Sequence, residues 1–138
     1  MLQPTRTKWR KQHRGRRNGT PQSGSQIEFG DYGIRALEAA WLTSRQIEAA
    51  RRAIVHYVSR GGQVYIRVFP DKPVSSRPAE TRMGGGKGAV DHWVAVVRRG
   101  RILFEVGGIP GNLAQEALQR AVQKLPMPAE IVSRDAQL

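Results

Sequence analysis

The stretch TSRQIEAARRAIVHYVSRGGQVYIRVF, residues 43–69, contains a helix start, a helix body, a stop and a strand in succession. Thr43 and Gln46 form a capping box: the Thr43 hydroxyl accepts from the backbone N–H at position 46, and Gln46 reaches back to the N–H at position 43. Ile47, Ala50, Ile54 and Val58 then recur at helical spacing, so one face of this helix is apolar. The other face bears Arg45, Glu48, Arg51 and Arg52, which leaves arginines on the exposed side. Gly61 and Gly62 are expected to supply a left-handed stop. From Gln63 to Phe69, Val64, Ile66 and Val68 alternate with Tyr65, Arg67 and Phe69 as in a strand. Pro70 ends that strand, because it cannot donate to a sheet ladder.

Working outward, Gln26 to Tyr32 alternates Ile27 and Phe29 with polar neighbours and predicts a short strand closed by Gly33. Ile34 to Leu42 is ambiguous: its Ala, Leu and Glu favour helix by propensity, whereas Arg35, Leu37, Ala39 and Trp41 alternate with the rest. Downstream, two alternating runs, Asp91 to Arg98 and Arg101 to Val106, flank Arg99-Gly100 and predict an antiparallel hairpin. Ala114, Leu118, Ala121, Val122 and Leu125 mark a second helix over 113–125 between Pro110 and Pro126, and Ile131 and Val132 allow a last strand. Two helices among hairpin-linked strands imply an α+β fold: an antiparallel or mixed sheet with both helices packed on one face. The expected organisation is a basic N-terminal extension over 1–26 and a single domain over 27–138, with an inserted loop over 71–89.

The chain has 138 residues, 39% of them apolar, enough for one modest core and too few for several domains. No apolar run is long enough to span a membrane, and no apolar stretch follows the basic start as in a secretory signal. A cytoplasmic chain is expected. The absence of cysteine excludes disulfides, thiolate metal sites and Cys nucleophiles, and fits a reducing compartment. The formal net charge is +12, and it is unevenly spread: Arg6, Lys8, Arg10, Lys11, Arg14, Arg16 and Arg17 all precede the first acid, Glu28. Segment 1–26 has almost no aliphatic residues, so its ordering entropy calls for an external polyanion. Arginine outnumbers lysine 18 to 5, which favours forked contacts to phosphate and stacking on bases. Nucleic acid is the expected partner. An anionic membrane would need an amphipathic helix with bulky apolar residues, which the basic segment lacks.

The most unusual stretch is RMGGGKG, residues 82–88. Four glycines let backbone N–H groups approach an anion, while Arg82 and Lys87 supply charge. It departs from a nucleotide-binding loop because Gly88 stands where Ser or Thr would follow the lysine. An extended arm inserted into folded RNA fits it better than a partnerless surface loop. Trp9, set among Arg6, Lys8, Arg10 and Lys11, suits stacking on a base. Trp41 and Trp93 sit in apolar contexts and are expected to pack. His13, His56 and His92 lack metal-ligand spacing, and no carboxylate pair or activated nucleophile is evident, so neither metal, cofactor, small-molecule substrate nor enzyme activity is expected.

Six blocks in one order then resemble a known family: MLQPTRTKWRKQHRGR at 1–16, FGDYGIRALE at 29–38, LTSRQIEAARRAI at 42–54, YIRVFPDKP at 65–73, PAETRMGGGKG at 78–88 and ALQRAVQKLP at 117–126. The chain is similar over nearly its whole length to bacterial-type large-subunit ribosomal protein sixteen, of the universal family shared with the archaeal and eukaryotic large-subunit protein ten-e. The resemblance implies an α+β fold, turns residues 34–42 toward strand, and implies no catalysis. It implies binding to large-subunit rRNA beneath the central protuberance near the aminoacyl-tRNA site, contact with tRNA and neighbouring ribosomal proteins, and support of late subunit assembly. Carried over by position, the basic segment corresponds to Arg6, Lys8, Arg10, Lys11, Arg14 and Arg16; Trp9 and Arg17 join these candidates from the reading of the residues themselves. The loop corresponds to Arg77, Arg82, Met83, Gly84, Gly86, Lys87 and Gly88. Lys72, Arg51 and Arg52 complete the candidate contacts. Arg82 matches an arginine that is hydroxylated in some bacteria. Gly85 departs from the pattern, since many relatives carry lysine there, and the stretch NGTPQSGSQ after Arg17 has no basic residue. A free-standing RNA chaperone or regulator is the alternative reading.

Overall fold

The computed structural model describes residues 2–5, 24–58, 61–75 and 90–135. Among these residues seven strands and two helices follow in the order β1 (Tyr32–Ala36), β2 (Ala40–Thr43), α1 (Ser44–Val58), β3 (Gln63–Ile66), β4 (Lys72–Ser75), β5 (Val90–Val97), β6 (Ile102–Gly107), α2 (Gly111–Val122) and β7 (Ala129–Ser133). The class is α+β, but the strands divide into two antiparallel sheets instead of one: β3-β6-β1-β7 and β2-β5-β4.

Helix α1 begins as its sequence dictates. The Thr43 N–H donates to Gln46 Oε1 at 2.9 Å, and the Gln46 N–H donates to Thr43 Oγ1 at 3.2 Å. Its buried side is Ser44, Ile47, Ala50, Ile54 and Val58. Helix α2 buries Ala114, Ala117, Leu118 and Ala121 and packs against α1, β1 and β7. The small alanines on both helices allow close approach, and Ile34, Phe104 and Val106 from the larger sheet complete the core. Gly61 and Gly62 do not take left-handed backbone, as Gly24, Gly100 and Gly108 do. Gly62 is instead a close-approach position: a Cβ there would lie 2.6 Å from Ile109 Cγ2 and 2.9 Å from the Gly107 carbonyl.

The expected 91–106 hairpin is corrected. Arg99-Gly100 does turn, with Gly100 at φ +94° and the Arg101 N–H donating to the Arg98 carbonyl at 3.1 Å. Yet β5 pairs with β2 and β4, while β6 pairs with β1 and β3. The ambiguous stretch 34–42 explains why: it holds parts of two strands, β1 and β2, which run beside β6 and β5. Pairs Arg35↔Ile102 and Ala40↔Val97 keep one register, and the Ala36 N–H to Arg101 O and Gly100 N–H to Ala36 O bonds carry the ladder around the corner. One antiparallel ribbon therefore bends from one sheet into the other.

The expected strand over 26–32 is also corrected, since β1 starts only at Tyr32. Residues 28–30 curl over Glu105, whose side chain points to the sheet face opposite Phe104 and Val106. Its carboxylate has no exposed surface and accepts from the N–H groups of Glu28, Phe29 and Gly30 at 3.2, 2.8 and 2.8 Å, and from Arg67. A carboxylate at the centre of a sheet requires such donors, and these backbone N–H groups are spent on it rather than on a ladder.

Candidate nucleic-acid interface

Most expected contacts, Arg6 through Arg17 and Arg77 through Gly88, lie outside the described residues. The points from which their segments depart are described. Ser75 pairs with Val90, so the 76–89 segment leaves and re-enters the end of the small sheet between β4 and β5. Leu2 packs on the core, and Leu2 and Gln3 line a depression with Thr43, Arg45, His92 and Trp93 of the region around that sheet. The 6–23 segment ends at Gly24, whose carbonyl accepts from the Ile102 N–H at 2.8 Å. Leu2 borders a groove with Arg101, and a Cβ on Gly24 would lie 2.8 Å from Arg101 Nε. Leu2, before the basic segment, and Gly24, after it, therefore both lie near Arg101, where the ribbon turns its corner. Of the described residues that flank the two segments, Leu2, Gln3, Ser75 and Val90 border the β2-β5-β4 sheet, and Gly24 borders β6.

Of the expected contacts on described elements, Arg51 and Arg52 flank Glu48 on α1. Arg52 Nε lies 3.2 Å from the Glu48 carboxylate, with 76% of its side chain exposed. The Arg51 hydrogen bond holds the Glu48 carboxyl down at about 2 despite some desolvation, with help from the Arg51 charge and from Arg52. The same pairing raises Arg51. Three charges there sum to one net positive, largely on Arg52. Lys72 is 9% exposed, with its ammonium 4.7 Å from the centre of the Trp41 ring, a cation–π contact that also ties β4 to β2.

Residues missed from sequence are Arg98, Arg99 and Arg101. The sequence pattern assigns Arg99 to a hairpin turn and Arg98 and Arg101 to the ends of its strands, although three arginines about one glycine are a visible charge cluster. Arg98 and Arg99 are exposed, and neither forms an ion pair with any described residue. Arg67 lies under Glu28 and Phe29, with its guanidinium 5.1 Å from the Phe29 ring centre and 3.6 Å from the Glu28 carboxylate. It is committed inward by Glu105. Among the described residues no group of three His, Asp or Glu could hold a metal ion, and no helix is long and apolar enough to cross a membrane.

This arrangement defines a class: a small, strongly basic α+β protein with its cationic residues concentrated in two stretches of sequence outside the described core. Residues 4–132 match the family of ribosomal protein L16p/L10e. The chain is 57% identical over 135 residues to large ribosomal subunit protein uL16 of Dehalococcoides mccartyi, in strains BAV1 and CBDB1 alike, covering 98% of this chain and 91% of each relative. The chain belongs to the L16p/L10e ribosomal protein family.

Proposed function

We propose that this chain is a structural constituent of the large ribosomal subunit, without catalytic activity, acting in the cytoplasm through rRNA contacts made by residues 6–17 and 77–88. The observation that supports the proposal is that residues flanking both cationic segments, Leu2 and Gln3 before one and Ser75 and Val90 about the other, border one small sheet in a chain of this family. Phosphate contacts would position the protein and release counterions, while Trp9 and the glycine-rich RMGGGKG stretch would fit it to one RNA shape. Arg51, Arg52 and Lys72 belong to the same proposed set, with Arg52 the most available to a phosphate. The finer reading places this surface near the aminoacyl-tRNA site and central protuberance, in contact with tRNA and neighbouring ribosomal proteins. There it would support subunit assembly, with Arg82 a candidate for hydroxylation.

Sedimentation of a lysate through sucrose, before and after a high-salt wash, tests the proposal. Electrostatically held proteins dissociate steeply with salt. Retention in large-subunit fractions is expected; release into light fractions would favour a free-standing RNA chaperone.

A further inference from the structure

The groove at the corner of the ribbon has a composition that packing does not account for. After β3 the chain leaves the larger sheet, with a last bond from the Arg67 N–H to the Leu103 carbonyl at 2.9 Å, and crosses toward β4. The end of β5 and the Arg98–Arg101 turn cross in the other direction. Between these crossings lies an open groove of about 610 Å³, bordered by Leu2, Phe69, Val96, Arg98 and Arg101, with Asp71 its only carboxylate among the described residues. Phe69 is 48% exposed and Val96 38%, so two of the larger exposed apolar side chains share this groove. Arg98 has no carboxylate partner among the described residues. Arg101 donates through Nη2 to the Arg67 carbonyl at 3.1 Å, and its buried Nε has no hydrogen-bond partner among the described residues.

We infer that this groove takes one unpaired nucleotide of RNA, its base on Phe69 and Val96 and its phosphate on Arg98 and Arg101. The inference rests on the proposed RNA-binding role and adds a specific pocket to it. An exposed ring beside guanidinium groups that have no carboxylate partner among the described residues suits a nucleotide, which brings a flat π-face and a phosphate together. An apolar protein segment would cover Phe69 but leave both arginines without counter-charge, so charge complementarity selects RNA. A paired base would not fit, because its faces are already stacked within the duplex.

The test uses the full chain and two probes, a short single-stranded oligoribonucleotide carrying 2-aminopurine and a blunt RNA duplex of the same length. Phe69→Leu keeps apolar volume and removes the ring face. It is expected to weaken single-strand binding by roughly tenfold or more and to leave duplex binding and the melting temperature unchanged. Arg98→Gln is expected to lower the single-strand salt slope by about 0.7. Equal effects on both probes, or none, would overturn the groove while leaving the RNA-binding role intact. Failure of the unmodified chain to bind either probe would instead sink the underlying role. In assembled large subunits, a photo-cross-linking residue at position 69 should capture RNA; capture of a protein, or of this chain's own 6–23 segment, would overturn the assignment.

Discussion

The guanidinium of Arg67, one residue beyond β3, and the carboxylate of Glu105, in the middle of β6, form an ion pair whose acidic member is wholly buried. Arg67 also donates to the Gln26 carbonyl at 3.1 Å, and Glu105 gathers the N–H groups of residues 28–30. The pair therefore fastens the chain that returns from the basic segment onto the larger sheet. Burial pushes the Glu105 carboxyl up, but the Gly30 N–H, the Arg67 guanidinium and the Phe29 and Glu28 N–H groups together hold it below its ordinary value.

Glu105→Gln keeps the shape and removes the charge, so it is expected to destabilise the fold by about 3 kcal/mol at neutral pH, in the range for breaking one partner of a buried pair. Because the folded pKa is depressed, the contribution of Glu105 is fully present above its unfolded pKa and is lost as pH falls through the folded one. Urea unfolding from pH 7 down into the acid range should show the variant's deficit shrinking; a deficit constant with pH would contradict this account.

Gly30→Ala should act on the same clamp by steric means. A Cβ at Gly30 would stand 2.5 Å from the Val106 carbonyl oxygen and 2.8 Å from its carbon, both backbone atoms that cannot swing aside. A loss of about 1–3 kcal/mol is expected. Amide exchange at residues 28–30 should quicken, and unchanged protection there would argue against the contact.

Thr43→Ala removes one half of the capping box at the start of α1 and should cost about 1 kcal/mol. The measurement is the denaturation midpoint at constant m-value. Thr43→Ser, which keeps the hydroxyl, should retain most of the stability; parity between Ala and Ser would remove the cap from the explanation.

Two phenylalanines that both fall in alternating runs of the sequence should behave very differently. Phe104 is wholly buried in the core, so Phe104→Ala is expected to cost about 3–5 kcal/mol. Phe29 is 57% exposed and stacks on Tyr65 with ring centres 5.6 Å apart, so Phe29→Ala should cost about 1 kcal/mol. Comparable losses in thermal unfolding would refute the assigned burial.

Arg82→Ala should impair incorporation into large subunits, or tRNA accommodation, while leaving the melting temperature of the isolated protein nearly unchanged. Quantitative mass spectrometry of gradient fractions reports the first and calorimetry the second. An equally large loss of folding stability would count against a contact made to RNA.

What could be read along the chain was local. The capping box, the apolar stripe of α1 and the spacing in α2 involve residues within a turn or two of one another, and they form as their spacing dictates. Misreadings arose where a local pattern served a distant partner. Ile27 and Phe29 alternate, but the backbone between them is drawn to Glu105, more than seventy residues away. Arg99-Gly100 has turn chemistry, yet the flanking strands find partners in different sheets. The sites showed the same division: Arg6 through Arg17 and RMGGGKG stand out by composition, whereas the Arg98–Arg101 groove requires two chain crossings to meet.

By itself the sequence determined the charge and its concentration in two segments, the existence of both helices and the start of the first, the α+β class and the family resemblance, because composition and short-range spacing need no folding to exist. Only the tertiary structure decided that one ribbon bends between two sheets, that Glu105 is buried, and that Leu2 and Gly24, on either side of the basic segment, lie near Arg101. Those outcomes depend on which distant groups satisfy buried hydrogen bonds and charges, and that accounting closes only when the whole chain is packed.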